Sequence, residues 1–89
     1  MVTRDFEIVN VKGLHARASA KFVEVVEEFD ARAEVEKDGM RVSGDSIMGL
    51  LMLAASRGTS IKVTTSGAEA EALSAALGAL IANKFGEGN

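Results

Sequence analysis

The chain has 89 residues, 47% of them apolar and 26% charged, with 10 basic and 13 acidic side chains for a net charge of −3. A chain of this size and apolar content makes one folding unit, residues 1–89, rather than a disordered segment or two domains. The acidic balance argues against nucleic acid, whose binding rests on neutralising phosphates. The absence of Cys excludes disulfides, thiolate metal sites and cysteine nucleophiles, and the single His excludes a cluster of imidazoles.

Residues 2–8 alternate Val2, Phe6 and Ile8 against Thr3, Asp5 and Glu7, the period of a half-buried strand. Arg4 interrupts the apolar set and points to a sheet edge or a strand end. Residues 10–13 read as loop. From 16 to 29 the period lengthens: Ser19, Phe22, Val26 and Phe29 recur every three or four residues, with Lys21, Glu24 and Glu28 opposite. That is an amphipathic helix whose first turn is built of small side chains.

Residues 32–37 alternate again and end at Asp38-Gly39, a strong hairpin signal. Met40 and Val42 continue as the return strand, and residues 43–46 carry turn and cap chemistry. A short, very apolar helix is expected over 47–55, stopped at Gly58. Ile61 and Val63 mark a fourth strand over 60–65. Ser66-Gly67-Ala68-Glu69 has the spacing of a capping box, and the last helix runs to about residue 84 with Leu73, Leu77, Leu80 and Ile81 as its stripe. The order β-α-β-β-α-β-α predicts a two-layer α+β domain, an antiparallel sheet with helices on one face. Its outer face would carry Thr3, Asp5, Glu7, Arg32, Glu34, Lys62 and Thr64.

No apolar run approaches the ~20 residues of a membrane-spanning helix. Residues 1–5 hold no apolar stretch of a secretion signal. A cytoplasmic protein without membrane insertion, metal or cofactor is expected.

Three places could carry chemistry. The first is Lys12-Gly13-Leu14-His15-Ala16-Arg17, where the only His meets a helix N-terminus. Free N–H groups and the positive end of the helix dipole favour an anion there. Arg17 offers a planar guanidinium for phosphate, and a neutral imidazole is a nucleophile near neutral pH. The plainer alternative is a solvated surface His beside an Arg that packs its stem. The second is Ser46, an N-cap or a phosphorylatable serine at a helix start. The third is the helix over 47–55, either deeply buried or exposing Ile47, Met48 and Leu51 as a docking patch. A nucleotide loop of the Gly-Lys-Ser type is missing, and 14 alanines leave little room for a small-molecule pocket between sheet and helices.

Gly13-Leu14-His15-Ala16-Arg17, followed by a helix of small residues, resembles the phosphohistidine signature of the HPr family, phosphocarriers of the bacterial phosphoenolpyruvate-dependent phosphotransferase system. Residues 46–54, Ser46-Ile47-Met48-Gly49-Leu50-Leu51-Met52-Leu53-Ala54, are similar to that family's regulatory-serine segment. The resemblance covers nearly the whole chain. It implies an open-faced β-sandwich with strand order 1-4-2-3 and three helices on one face. It implies that His15 takes a phosphoryl group on Nδ1 from phosphorylated Enzyme I and passes it to an EIIA-type protein, while Arg17 and the N–H groups of Ala16 and Arg17 hold it. Ser46 would be the target of HPr kinase/phosphorylase, and Ile47, Met48, Leu51 and Ala20 would form the docking face of a monomer. Such a protein is a covalent carrier between partner enzymes, not an enzyme with its own substrate pocket. Two departures stand out: Ala18 where the family usually has Pro, and the acidic Glu24 and Glu27 on the first helix. The run 50–53 with Ser56-Arg57-Gly58 looks closer to the nitrogen-related branch than to the sugar branch.

Overall fold

Four strands pair antiparallel in the order β1-β4-β2-β3 in the computed structural model, which describes residues 1–87. They are β1 (Val2–Glu7), β2 (Arg32–Lys37), β3 (Met40–Ser43) and β4 (Ser60–Ser66). The β2–β3 hairpin turns at Asp38 and Gly39, with φ of 52° and 82°. Two consecutive positive φ values match the right-handed twist of the flanking strands, so a residue pair tolerant of that region fixes the register Lys37↔Met40. Strand β1 is an edge, and Arg4 lies on it 3.7 Å from Glu71 of the last helix.

One face of the sheet is wet. Thr3, Asp5, Glu7, Arg32, Glu34 and Lys62 are exposed, and the hydroxyls of Thr3 and Thr64 meet across the β1–β4 pair at 3.2 Å. The other face presents Ala33, Val35, Ile61 and Val63, all buried under the helices. Helix α1 (Ala16–Glu27) buries Ala18, Ser19, Phe22, Val23 and Val26. Helix α3 (Ala70–Ala82) buries Leu73, Leu77 and Ile81, and its Gly78 comes so close to Phe6 that a Cβ would lie 2.9 Å from the ring. Helix α2 (Ile47–Met52) is too short to bury a full stripe and buries Leu50 alone. The three helices cover one sheet face because only that face is continuous in apolar side chains.

Several boundaries differ from the sequence reading. The first strand ends at Glu7; Ile8 follows it and pairs with Gly58 and Thr59 by backbone bonds of 2.8 Å. Helix α1 ends at Glu27, two residues short of Phe29. Helix α2 stops at Met52 and not near Ala55, because Ala54 turns left-handed at φ 51° well before Gly58. Ser66 and Glu69 form no capping box. Ser66 closes β4, and the Glu69 carboxylate instead accepts from the Asp30 N–H at 2.7 Å, tying α3 to the loop before β2. Helix α3 ends at Ala82, and Lys84–Gly86 form a separate 3-10 turn in which Lys84, Phe85 and Gly86 have φ of 55°, 55° and 76°. Phe85 is fully buried in that turn. Burial of such a ring is worth roughly 2–3 kcal/mol and holds the tail on the domain.

Candidate functional site

His15 caps helix α1. Its backbone is extended at φ −78°, ψ −176°, and its Nδ1 accepts the Arg17 N–H at 3.2 Å. A capping side chain normally accepts from the second or third residue of the helix, and here the acceptor is an imidazole nitrogen. At 3.2 Å the bond lies at the long end of the normal range. The loop that delivers His15 is held from several sides. Asn10, fully buried, donates from Nδ2 to the Gly13 carbonyl at 2.8 Å. Leu14 donates its N–H to Ala55 at 2.8 Å, and the Ser19 hydroxyl donates back to the Leu14 carbonyl at 3.2 Å. Gly13 sits at φ +66° with no room for a side chain, since a Cβ would fall 2.5 Å from the Ala55 oxygen.

The other imidazole nitrogen, Nε2, meets the Glu87 carboxylate. The two side chains are 27% and 13% exposed, so the ring is reachable while the carboxylate is largely covered. Asn10 Nδ2 also donates to Glu87 Oε1 at 3.0 Å. Burial by itself would raise the Glu87 pKa. The hydrogen bonds from His15 and Asn10, with the charges of His15 and Lys12, outweigh it and hold the carboxyl below its ordinary value. An ionised Glu87 can only accept, while Nδ1, on the other side of the ring, faces the Arg17 N–H at the start of α1.

Around the ring lies an open recess of about 500 Å³ lined by Lys12, His15, Ala16, Arg17, Lys21, Gly86 and Glu87. Three of these side chains are cationic, the first N–H groups of α1 have no partner inside the helix, and no acidic residue occupies its first turn. Those features favour an anion beside Nδ1. No cluster of three or more potential metal ligands exists among the described residues. No helix of the described residues is long and apolar enough to cross a membrane.

The structure therefore brings Lys12, His15, Ala16 and Arg17 of the expected segment together and adds Lys21 and Glu87. Ser46 stands apart from that recess. It is the N-cap of α2, and its Oγ accepts the Gly49 N–H at 3.0 Å. Beyond it Ile47 and Met48 are 42% and 68% exposed, whereas Leu51 and Ala20 are half-buried. Met52, outside the expected patch, is 62% exposed. Glu87 and Asn10 were not legible as site residues. A glutamate in a Gly-rich tail carries no periodic signal; the available hint was Phe85, a large apolar side chain just beyond the last helix, followed by a glycine.

The family model described as "PTS HPr component phosphorylation site" matches residues 2–83. The phosphocarrier protein HPr of Neisseria meningitidis is 52% identical over 89 residues, which is 99% of each chain. Among solved structures, HPr-C-His from Thermoanaerobacter tengcongensis superposes with a TM-score of 0.93 at 41% identity, covering 98% of both chains. An HPr dimer from the same organism gives 0.77 at 43% identity, covering 92% of this chain and 94% of that one. The antiparallel α+β fold of strand order 1-4-2-3 is the architecture it shares with these structures. The chain belongs to the HPr family of phosphocarrier proteins of the phosphotransferase system.

Proposed function

We propose that His15 is the phosphoryl acceptor of this carrier and that Nδ1 is the atom that bonds phosphorus. The observation that carries the proposal is the divided hydrogen bonding of the ring: Nε2 is taken by Glu87, while Nδ1 faces Arg17 N–H and the start of α1. Attack by the Nδ1 lone pair forms the N–P bond as the bond from phosphorus to the donor breaks, its electron pair leaving with the donor. The transferred group then lies where the N–H groups of Ala16 and Arg17, the Arg17 guanidinium and the dipole of α1 stabilise its charge. Phosphoryl transfer depends on positioning and charge stabilisation more than on covalent assistance, so a small open site suffices once a partner completes it.

The donor in this reading is phosphorylated Enzyme I and the acceptor an EIIA-type protein, in the cytoplasm, with the chain acting as a monomer. Each contact must form and release, which suits interfaces near about 1,200 Å². Ile47, Met48, Leu51 and Ala20 form the docking face. HPr kinase/phosphorylase, where present, acts on Ser46, whose place at a helix start accommodates added negative charge. The test is a relay: phosphoenolpyruvate, Enzyme I and this chain, followed by a panel of sugar-type and nitrogen-type EIIA proteins. Transfer of label through the chain to at least one EIIA is expected. Labelling of Enzyme I with none on this chain would overturn the reading.

A further inference from the structure

We propose that Glu87 is a positioning residue for His15, its carboxylate holding the ring proton on Nε2 so that the Nδ1 lone pair faces the incoming phosphorus; this inference rests on the phosphocarrier reading above. Glu87 lies beyond residues 2–83, the part of the chain that the family model matches.

The tail is built to deliver that one side chain. Phe85 is fully buried, and its carbonyl accepts from Lys21 Nζ at 2.7 Å. Lys84 and Phe85 are consecutive non-glycine residues in the left-handed region, and Gly86 follows at φ 76°. Backbone of this kind persists only where its surroundings hold it, and here the buried ring, the Lys21 bond and the Glu87 bonds do so. Asn10 completes the arrangement. A single buried amide donates to Gly13 of the His15 loop and to Glu87 Oε1, so the loop and the carboxylate are fixed by the same group.

The chemistry follows from the ring's two nitrogens. A neutral imidazole has one N–H and one acceptor lone pair. With the proton on Nε2, the ring donates to Glu87 and accepts from the Arg17 N–H. The other tautomer would set a lone pair against the carboxylate and an N–H against an N–H, so both contacts would turn repulsive. As Nδ1 bonds to phosphorus the ring becomes positive, Nε2 keeps its proton, and the carboxylate on that side balances the charge. The carboxylate meets the edge of the ring away from the phosphoryl group, so the two anions are separated by the imidazole. A carboxylate behind a nucleophile's histidine acts by the same logic in hydrolases, orienting the ring and stabilising its cationic form.

The test uses Glu87→Gln, Glu87→Asp and the wild type, each ¹⁵N-labelled. In Glu87→Gln, Asn10 Nδ2 engages the amide oxygen, so the amide NH₂ faces His15 and makes Nε2 an acceptor. Long-range ¹H–¹⁵N spectra of the neutral ring are expected to show the proton on Nε2 in the wild type and a shift toward Nδ1 in Glu87→Gln. Phosphoryl acceptance from Enzyme I is expected to slow about tenfold in Glu87→Gln, the factor that loss of a charged hydrogen bond gives. Glu87→Asp is expected to recover part of the rate and the wild-type tautomer. An unchanged tautomer in Glu87→Gln overturns the proposal, whether or not the rate falls. A wild-type chain that takes no phosphoryl group would overturn the carrier reading instead, and the tautomer shift would still report the Glu87 contact.

Discussion

Leu14 donates its backbone N–H to the carbonyl of Ala55 at 2.8 Å, stitching the loop that presents His15 to the turn that ends α2. The bond needs close backbone approach, and Gly13 permits it at φ +66°. Gly13→Ala is therefore expected to destabilise the domain by about 2 kcal/mol, from positive φ and from a Cβ that meets backbone atoms. Urea unfolding measures the loss. The same variant is expected to accept phosphoryl groups more slowly even where it is fully folded, because the His15 loop must move. Wild-type stability would show that the loop adapts freely.

Arg17→Lys keeps the charge in the recess but loses the planar fork, and the two side chains are not equivalent at a phosphate. A fall of about tenfold in transfer rate is expected, with Tm unchanged because Arg17 is exposed. Rapid-quench measurements of phosphoryl uptake check it. Unchanged rates would remove the guanidinium from the site.

For Ser46 the cap and the regulatory role separate by substitution. Ser46→Ala loses the bond to the Gly49 N–H and is expected to cost about 1 kcal/mol. Ser46→Asp supplies another good cap, so its melting temperature should stay close to that of the wild type. It also places a negative charge beside Ile47 and Met48, and acceptance from Enzyme I is expected to slow. Equal transfer rates for Ser46→Asp and wild type across Enzyme I concentrations would leave Ser46 as a cap only.

Glu87 gives the acid limb of stability a specific origin. Its pKa is lower in the folded protein than in the unfolded chain. The stability it contributes is thus present above the ordinary carboxylate value and is lost as pH falls through the lowered folded value. The groups facing it are His15, Asn10 and Lys12. Wild type and Glu87→Gln are expected to differ near neutral pH and to converge as the pH falls through and below the ordinary carboxylate range. Thermal unfolding as a function of pH measures the difference, and a gap that stays constant through that range would contradict the assignment.

The layers of the fold were legible because its strands alternate and its helices carry stripes. Asp38-Gly39 announced the hairpin through a backbone requirement that few residues meet, and His15 and Arg17 stood out as the chain's one imidazole with a guanidinium two residues on. What was not legible depends on contacts across the sequence. Glu69 reads as half of a capping box, yet its carboxylate goes to Asp30 N–H, a partner 39 residues away. Helix α2 ends early at Met52 where Ala54 turns left-handed, and the next residue, Ala55, accepts from Leu14, a partner 41 positions away that a local window does not contain. Glu87 meets His15 across 72 residues, through a tail whose left-handed turn is imposed by the burial of Phe85.

The most direct measurement of the central claim is intact mass after incubation with phosphoenolpyruvate and Enzyme I, before and after acid treatment, on wild type and His15→Ala. His15 is a partly exposed loop residue, so the variant is expected to keep its circular dichroism spectrum. The account predicts one added phosphoryl group on the wild type, lost in acid as an N–P bond is, and none on His15→Ala. An acid-labile phosphoryl group on the folded His15→Ala variant would contradict it.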